Sequence, residues 1–222
     1  MNNILFIAPH PDDETLGCGG TIFKHKAMND KISWLIMTNI SPGRGYKAGD
    51  VEKRQKEIEA TAGKYGFDNV IKLGFPTAGL DTVPHSEVVE AVRSSMDRLR
   101  PDTVYVPNRN DVHSDHRVTF DAVISSAKSF RCPFLRKILM YEVISDTEFS
   151  PPLRDHAFCP NAFSDISEYL DKKLSVMRVY ASELGEHPFP RNPENIKALA
   201  TFRGATAGTR YAEAFMTVKE VW

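Results

Sequence analysis

Five consecutive apolar residues, Ile4-Leu5-Phe6-Ile7-Ala8, stop abruptly at Pro9. A strand with one face in water alternates apolar and polar side chains, so a continuous apolar run this short reads as a strand buried on both faces. Such a strand needs a layer of cover on each side. Thr15 to Met28 carries Leu16, Ile22, Phe23 and Ala27 along it, with Gly17, Gly19 and Gly20 thinning its first half, and predicts a helix packed closely on a sheet. Ile32 to Thr38 predicts a second buried strand. Ser41 to Asp50 holds Pro42, Gly43, Gly45 and Gly49 and predicts a loop, with Asp50 or a neighbour capping a helix that runs through Glu52, Arg54, Glu57, Ile58 and Ala62 to Gly66.

The alternation continues. Val70 to Leu73 predicts a third strand, and Val88, Val89, Val92, Met96 and Leu99 lie at helical spacing within His85 to Leu99. Asp102 to Pro107 predicts a fourth strand, followed by a polar loop and a helix from Asp115 to Ala127. Strand and helix in turn imply an α/β fold: a Rossmann-like, mostly parallel sheet flanked by helices, with ligands bound at the carboxyl ends of the strands. The C-terminal third is less regular, with a strand expected at Lys137 to Val143 and helices at Ser167 to Tyr180 and Asn192 to Phe202. At 222 residues, one domain spanning 1–222 is the expected organisation.

Composition narrows the partners. The net charge is -1 and no basic stripe is present, which argues against a nucleic acid ligand. The longest apolar stretches fall far short of the ~20 residues that a membrane span needs, so no membrane anchor is expected. Met1-Asn2-Asn3 lacks the charged start of a secretory signal, which points to a cytoplasmic protein. Cys18, Cys132 and Cys159 are odd in number and widely spaced, indicating neither a disulfide framework nor a cysteine metal site.

Two motifs carry chemistry. Pro9-His10-Pro11-Asp12-Asp13-Glu14 follows the first strand, and Asp111-Val112-His113-Ser114-Asp115-His116 follows the fourth. Two imidazoles and one carboxylate, with a position left open for water, are the general form of a catalytic zinc site. Adjacent carboxylates in one tight turn would repel unless one coordinates and the other serves a different purpose. Read singly, the first motif could be a capped turn and the second a capped helix start; their occurrence at two strand ends of one sheet favours a site.

With these motifs the sequence resembles the LmbE-like or PIG-L family of zinc-dependent N-acetyl sugar deacetylases. The likeness rests on His10-Pro11-Asp12-Asp13-Glu14 and His113-Ser114-Asp115-His116, where many relatives have proline at Ser114. Looser matches lie at Arg54 and Glu57, from Pro160 to Ser167, and from Arg203-Gly204 to Phe215. The resemblance implies that His10, Asp13 and His116 hold one zinc ion per chain, for which other divalent ions can substitute. It implies Asp12 as general base, His113 as a protonated group that stabilises the oxyanion or protonates the leaving amine, Asp115 as the residue that orients His113, and Arg54 as a substrate-binding residue. The implied substrate is a small N-acetylated sugar conjugate, and a homo-oligomer is compatible with the reading. One departure stands out: many relatives carry histidine followed by Ser-Gln where this chain reads Tyr180-Ala181-Ser182-Glu183, which bears on substrate identity.

Two other functions are weighed against this one. A metal-free sugar-binding α/β module would use the same turn for hydrogen bonds alone, and a metal-dependent hydrolase could act on another ester or amide. A dinucleotide-binding enzyme is disfavoured because Gly17-Cys18-Gly19-Gly20 lacks the GxGxxG spacing. Ser41 to Gly49 and Pro188 to Pro193 are candidate rims of the pocket, while His25, His85, His156 and His187 are read as surface or satisfied residues.

Overall fold

A computed structural model describes residues 1–222. The first strand, β1 (Asn3–Ala8), lies inside a seven-stranded sheet with β2 (Lys31–Asn39), β3 (Asn69–Pro76), β4 (Thr103–Pro107), β5 (Lys137–Tyr141), β6 (Ala162–Asp165) and β7 (Ala212–Glu220). The strand order is β3-β2-β1-β4-β5-β7-β6. The first five strands are mutually parallel, and β7 inserts antiparallel between β5 and β6. Helices α1 (Asp13–Ala27), α2 (Ala48–Tyr65), α3 (His85–Leu99), α4 (Ser114–Ser126), α5 (Leu170–Met177) and α6 (Pro193–Ala207) complete the α/β architecture.

Burial of β1 on both faces follows from strand alternation. Leu5 and Ile7 belong to one core with Leu35, Val88, Val92, Met96 and Val123. Ile4 and Phe6 belong to another with Leu16, Ile22, Tyr141, Val176 and Ile196. The glycines of α1 permit the close packing expected of them: a Cβ at Gly20 would sit 2.5 Å from Ile166 Cγ2. The strand order reverses between β1 and β4, and the carboxyl ends on either side of such a switch point form the crevice where α/β sheets bind ligands. Both chemical motifs leave the sheet there.

Three local expectations are corrected. The helix expected over Ser167 to Tyr180 is shorter, because Tyr180 has non-helical backbone (φ -89°, ψ 53°) within a 3₁₀ turn, Arg178–Glu183. Asp50 caps α2 from its third position rather than from outside it: its Oδ2 accepts the Lys47 amide at 3.0 Å, and the helix starts at Ala48. The C-terminal region also supplies β6 and β7, which close the sheet with antiparallel pairs. His25 is a satisfied residue, held by Asp30 Oδ2 at 2.8 Å and the Tyr105 hydroxyl at 3.0 Å.

Candidate active site

The turn after β1 is fixed from its neighbour strand, since Pro9 O accepts from the Thr38 amide at 3.1 Å and the Thr38 hydroxyl at 2.8 Å. Asp12 precedes α1, where an aspartate ordinarily caps with its carboxylate. Here it does not: its backbone takes φ 140°, ψ -28°, and its side chain makes no cap bond. That conformation is strained for any residue with a Cβ, at a cost of order 1–3 kcal/mol. The Asp12 amide donates to buried Glu14 Oε2 at 3.1 Å, and Arg191 Nη1 donates to Asp12 Oδ2 at 2.8 Å. The turn thus aims the carboxylate away from the helix. Asp13, fully buried, accepts the His10 amide at 2.8 Å through Oδ2, which also lies 3.2 Å from His10 Nδ1.

The loop after β4 brings the second motif across the switch point. His116 is fully buried at the start of α4, with Nε2 3.3 Å from Asp13 Oδ2. Its other nitrogen, Nδ1, pairs with Asp111 Oδ2 at 2.8 Å, and Asp111 Oδ1 accepts from Asn108 Nδ2 at 2.9 Å and Thr147 Oγ1 at 2.7 Å. His10 is backed in the same way: its Nε2 pairs with Asp115 Oδ2 at 2.9 Å. A carboxylate only accepts, so each pair places a proton on the outer nitrogen and leaves His10 Nδ1 and His116 Nε2 turned toward Asp13.

Two overlapping triads have donor atoms within 4.8 Å of one another: His10, Asp13 and His116; and His10, His113 and Asp115. Hydrogen bonding separates them. Both oxygens of Asp115 are already engaged, Oδ2 accepting from His10 and the Ala78 amide and Oδ1 from the Leu80 amide. Asp13 Oδ1 and His116 Nε2, by contrast, are buried without any hydrogen-bond partner. An orphaned buried polar atom costs about 1–3 kcal/mol, a cost that a bound cation removes. The first triad therefore fits a divalent metal ion, with two imidazole nitrogens and one carboxylate as its donors.

His113 and Asp115 differ from expectation in how they meet. The Asp115 carboxylate serves His10, and its link to His113 runs through the backbone, the Asp115 amide donating to His113 Nδ1 at 3.1 Å. Burial and the neighbouring His10 and His116 rings hold the His113 pKa below the usual range. With Nδ1 accepting, His113 is a neutral imidazole that carries its proton on Nε2, not the imidazolium expected.

The remaining electrostatics follow from burial and pairing. Burial alone would lower His10, but its bonds to Asp115 and Asp13 lift it to about 9. Burial likewise opposes protonation of His116, and the Asp13 and Asp111 carboxylates push it well above the histidine range. Burial raises Asp12 to about 7 against the pull of Arg191, and raises Glu14 to about 8.

In front of these residues lies a cleft of roughly 500 Å³ whose wall includes His10, Asp12, Tyr46, Arg54, His113 and Arg191. Tyr46 and Arg191 come from the two segments expected to form rims. Arg54 Nη1 donates to Pro11 O at 3.1 Å, and its Nη2 pairs with Glu183 Oε1. Three contributors were not legible as site residues. Asp111 sits within the second motif, five residues before His116, and that spacing was its only signal. Glu183 lies in the departure at 180–183 and Arg191 in the expected rim at 188–193, but neither residue was singled out there, and tertiary folding brings both to the cleft.

Residues 5–127 match the family model described as PIG-L, GlcNAc-PI de-N-acetylase. The chain belongs to the PIG-L family. Across its full length this PIG-L protein is 25% identical, over 232 residues, to the diacetylchitobiose deacetylase of Thermococcus kodakarensis, covering 85% of it. It is 23% identical over 194 residues to the probable N-acetyl-alpha-D-glucosaminyl L-malate deacetylase 2 of Bacillus anthracis, covering 82% of this chain and 81% of that protein. Among solved structures, the conserved protein TT1542 from Thermus thermophilus superposes with a TM-score of 0.79 at 29% identity, covering 100% of this chain and 97% of that one.

Proposed function

We propose that this PIG-L protein is a zinc-dependent hydrolase that removes the N-acyl group, chiefly acetyl, from an N-acetylated amino sugar or a small conjugate of one. One observation carries the reading: Asp13 Oδ1 and His116 Nε2 are buried and unpartnered against His10, directly beside the strained, cleft-facing Asp12. Family membership and the deacetylase names of two relatives support it.

In this reading His10, Asp13 and His116 hold the metal. When bound, zinc supplies Lewis acidity toward the amide carbonyl and lowers the pKa of water from about 15.7 to near 7. Asp12 orients the attacking water and takes its proton; Arg191 occupies Oδ2, and no protein donor competes for Oδ1. His113 donates from Nε2 to the carbonyl oxygen as negative charge gathers there, a contribution worth roughly 3–4 kcal/mol in comparable sites. The leaving nitrogen receives the proton that Asp12 took from the water, since a neutral His113 could give one up only by becoming an imidazolate. Asp115 steadies both histidines, His10 through its carboxylate and His113 through its amide. Arg54 and the cleft wall contact the sugar.

The chain acts as one domain. Its three cysteines are free and no helix is long and apolar enough to cross a membrane, which suits a cytoplasmic setting and a small, freely diffusing substrate. Acetate release from a panel of N-acetylated sugars, measured on zinc-loaded protein, tests the reading. Turnover of at least one member is expected; no release from any would overturn it.

A further inference from the structure

Three lysine and arginine side chains face the cleft, and each lies beside a carboxylate. Lys53 Nζ lies 3.7 Å from Glu57 Oε1, and Arg54 Nε lies 3.3 Å from Glu57 Oε2. Glu183 then stands between the two arginines, Oε1 on Arg54 Nη2 and Oε2 3.5 Å from Arg191 Nη1. Arg191 is further engaged by Asp12 at 2.8 Å and Asp146 at 3.3 Å. With Asp50 included, four carboxylates line the cleft against three cations. Both guanidinium side chains are only 16% exposed, so water screens these pairs incompletely.

Away from the metal position, a carboxylate or phosphate entering this cleft would find both arginines already paired with carboxylates. It would have to displace Glu183 or add a further anion beside it, and like charges at close range are strongly disfavoured. A hydroxyl or ammonium group meets the opposite situation, because the part-exposed carboxylate of Glu183 retains lone pairs. Glu183 belongs to the segment in which this chain departs from the His-Ser-Gln pattern of many relatives, so the departure has a physical content: a carboxylate that neutralises two arginines.

We propose that Glu183 is a specificity-determining residue that tunes the cleft against substrates whose sugar carries an anionic substituent, and toward neutral or amino-bearing partners such as a second sugar. The assignment rests on the deacetylase reading above and states which conjugates that activity takes. By rejecting the wrong partner through charge rather than shape, it works as a repulsive element.

Kinetics on two substrates test it: diacetylchitobiose, which is neutral, and N-acetylglucosaminyl L-malate, which is a dianion. Zinc-loaded wild type should prefer the neutral substrate in kcat/KM by about tenfold or more. Glu183→Gln should reduce that ratio by about tenfold, chiefly through a lower KM for the malate conjugate, and should let free L-malate inhibit competitively at correspondingly lower concentration. Glu183→Asp should keep the wild-type preference. Glu183 is part-exposed at the cleft edge, and a thermal melt verifies that each variant is folded. Wild-type preference for the malate conjugate, or an unchanged ratio in folded Glu183→Gln, would overturn this assignment alone. No acetate from either substrate, with release from another member of the panel, would overturn this assignment alone, and no release from any member would overturn the deacetylase reading with it.

Discussion

Asp111 makes no contact with the cleft, yet it should control metal affinity. Its Oδ2 fixes His116 Nδ1 at 2.8 Å, while Oδ1 accepts from Asn108 and Thr147. Asp111→Asn conserves volume but replaces one acceptor oxygen with a donor NH₂ group. An amide cannot accept at both ends, so either Asn108 and Thr147 lose their acceptor or His116 Nδ1 gives up its proton. In the second case the proton moves to Nε2, the atom turned toward Asp13, and blocks coordination. Removing a carboxylate that backs a ligand histidine typically weakens metal binding 10–100-fold, or about 1.4–2.7 kcal/mol. Equilibrium competition with a chromophoric chelator, at fixed pH and with circular dichroism to confirm folding, gives the zinc Kd directly. A folded Asp111→Asn protein with wild-type affinity would refute the argument that His116 is set by its outer nitrogen.

Asp12→Asn should keep its metal, measured by elemental analysis, and lose about 10²–10⁴-fold in turnover, because the substitution removes only the proton acceptor; a normal rate would take Asp12 out of the mechanism. His113→Ala should likewise retain full metal occupancy while kcat falls by about 10²–10³, and loss of metal instead would make His113 a ligand. Lys173→Met should be severe for stability, since Lys173 Nζ bonds Glu213 Oε1 at 2.7 Å and Leu16 O at 2.7 Å in the interior. Stranding buried Glu213 should cost roughly 3–5 kcal/mol, a fall in Tm of about 6–20 °C by calorimetry, and a Tm within about 2 °C of wild type would contradict it.

The central parallel strands were legible because they are buried on both faces and read as near-continuous apolar runs, Ile4 to Ala8 and Trp34 to Met37 being the clearest, whereas the edge strand β3 alternates half-buried and exposed residues. β7 was not legible, because burial ends partway along it: Ala212 to Phe215 are buried, whereas Thr217, Lys219 and Glu220 are not core residues. Glu213 adds a charge inside the apolar stretch, and its bonds to the Gly20 and Thr21 amides and Lys173 could not be foreseen from local pattern. At the site, the position of the two motifs at strand ends was legible, and the family resemblance picked His10, Asp13 and His116 out of them. The tautomer of His113 depends on a backbone amide, which no residue identity encodes. The segments that hold Glu183 and Arg191 were marked as departure and rim, but which of their side chains face the cleft depends on the turn at Tyr180 and the return before α6, a path set by packing.

Metal content and acetate release, followed on one sample through chelation and zinc restoration, test the proposed chemistry most directly. One zinc ion per chain should be present initially, acetate release should vanish as the ion is stripped, and both should return together on addition of zinc. His116→Ala should lower occupancy and rate in parallel. Full turnover by the metal-free protein would contradict the account.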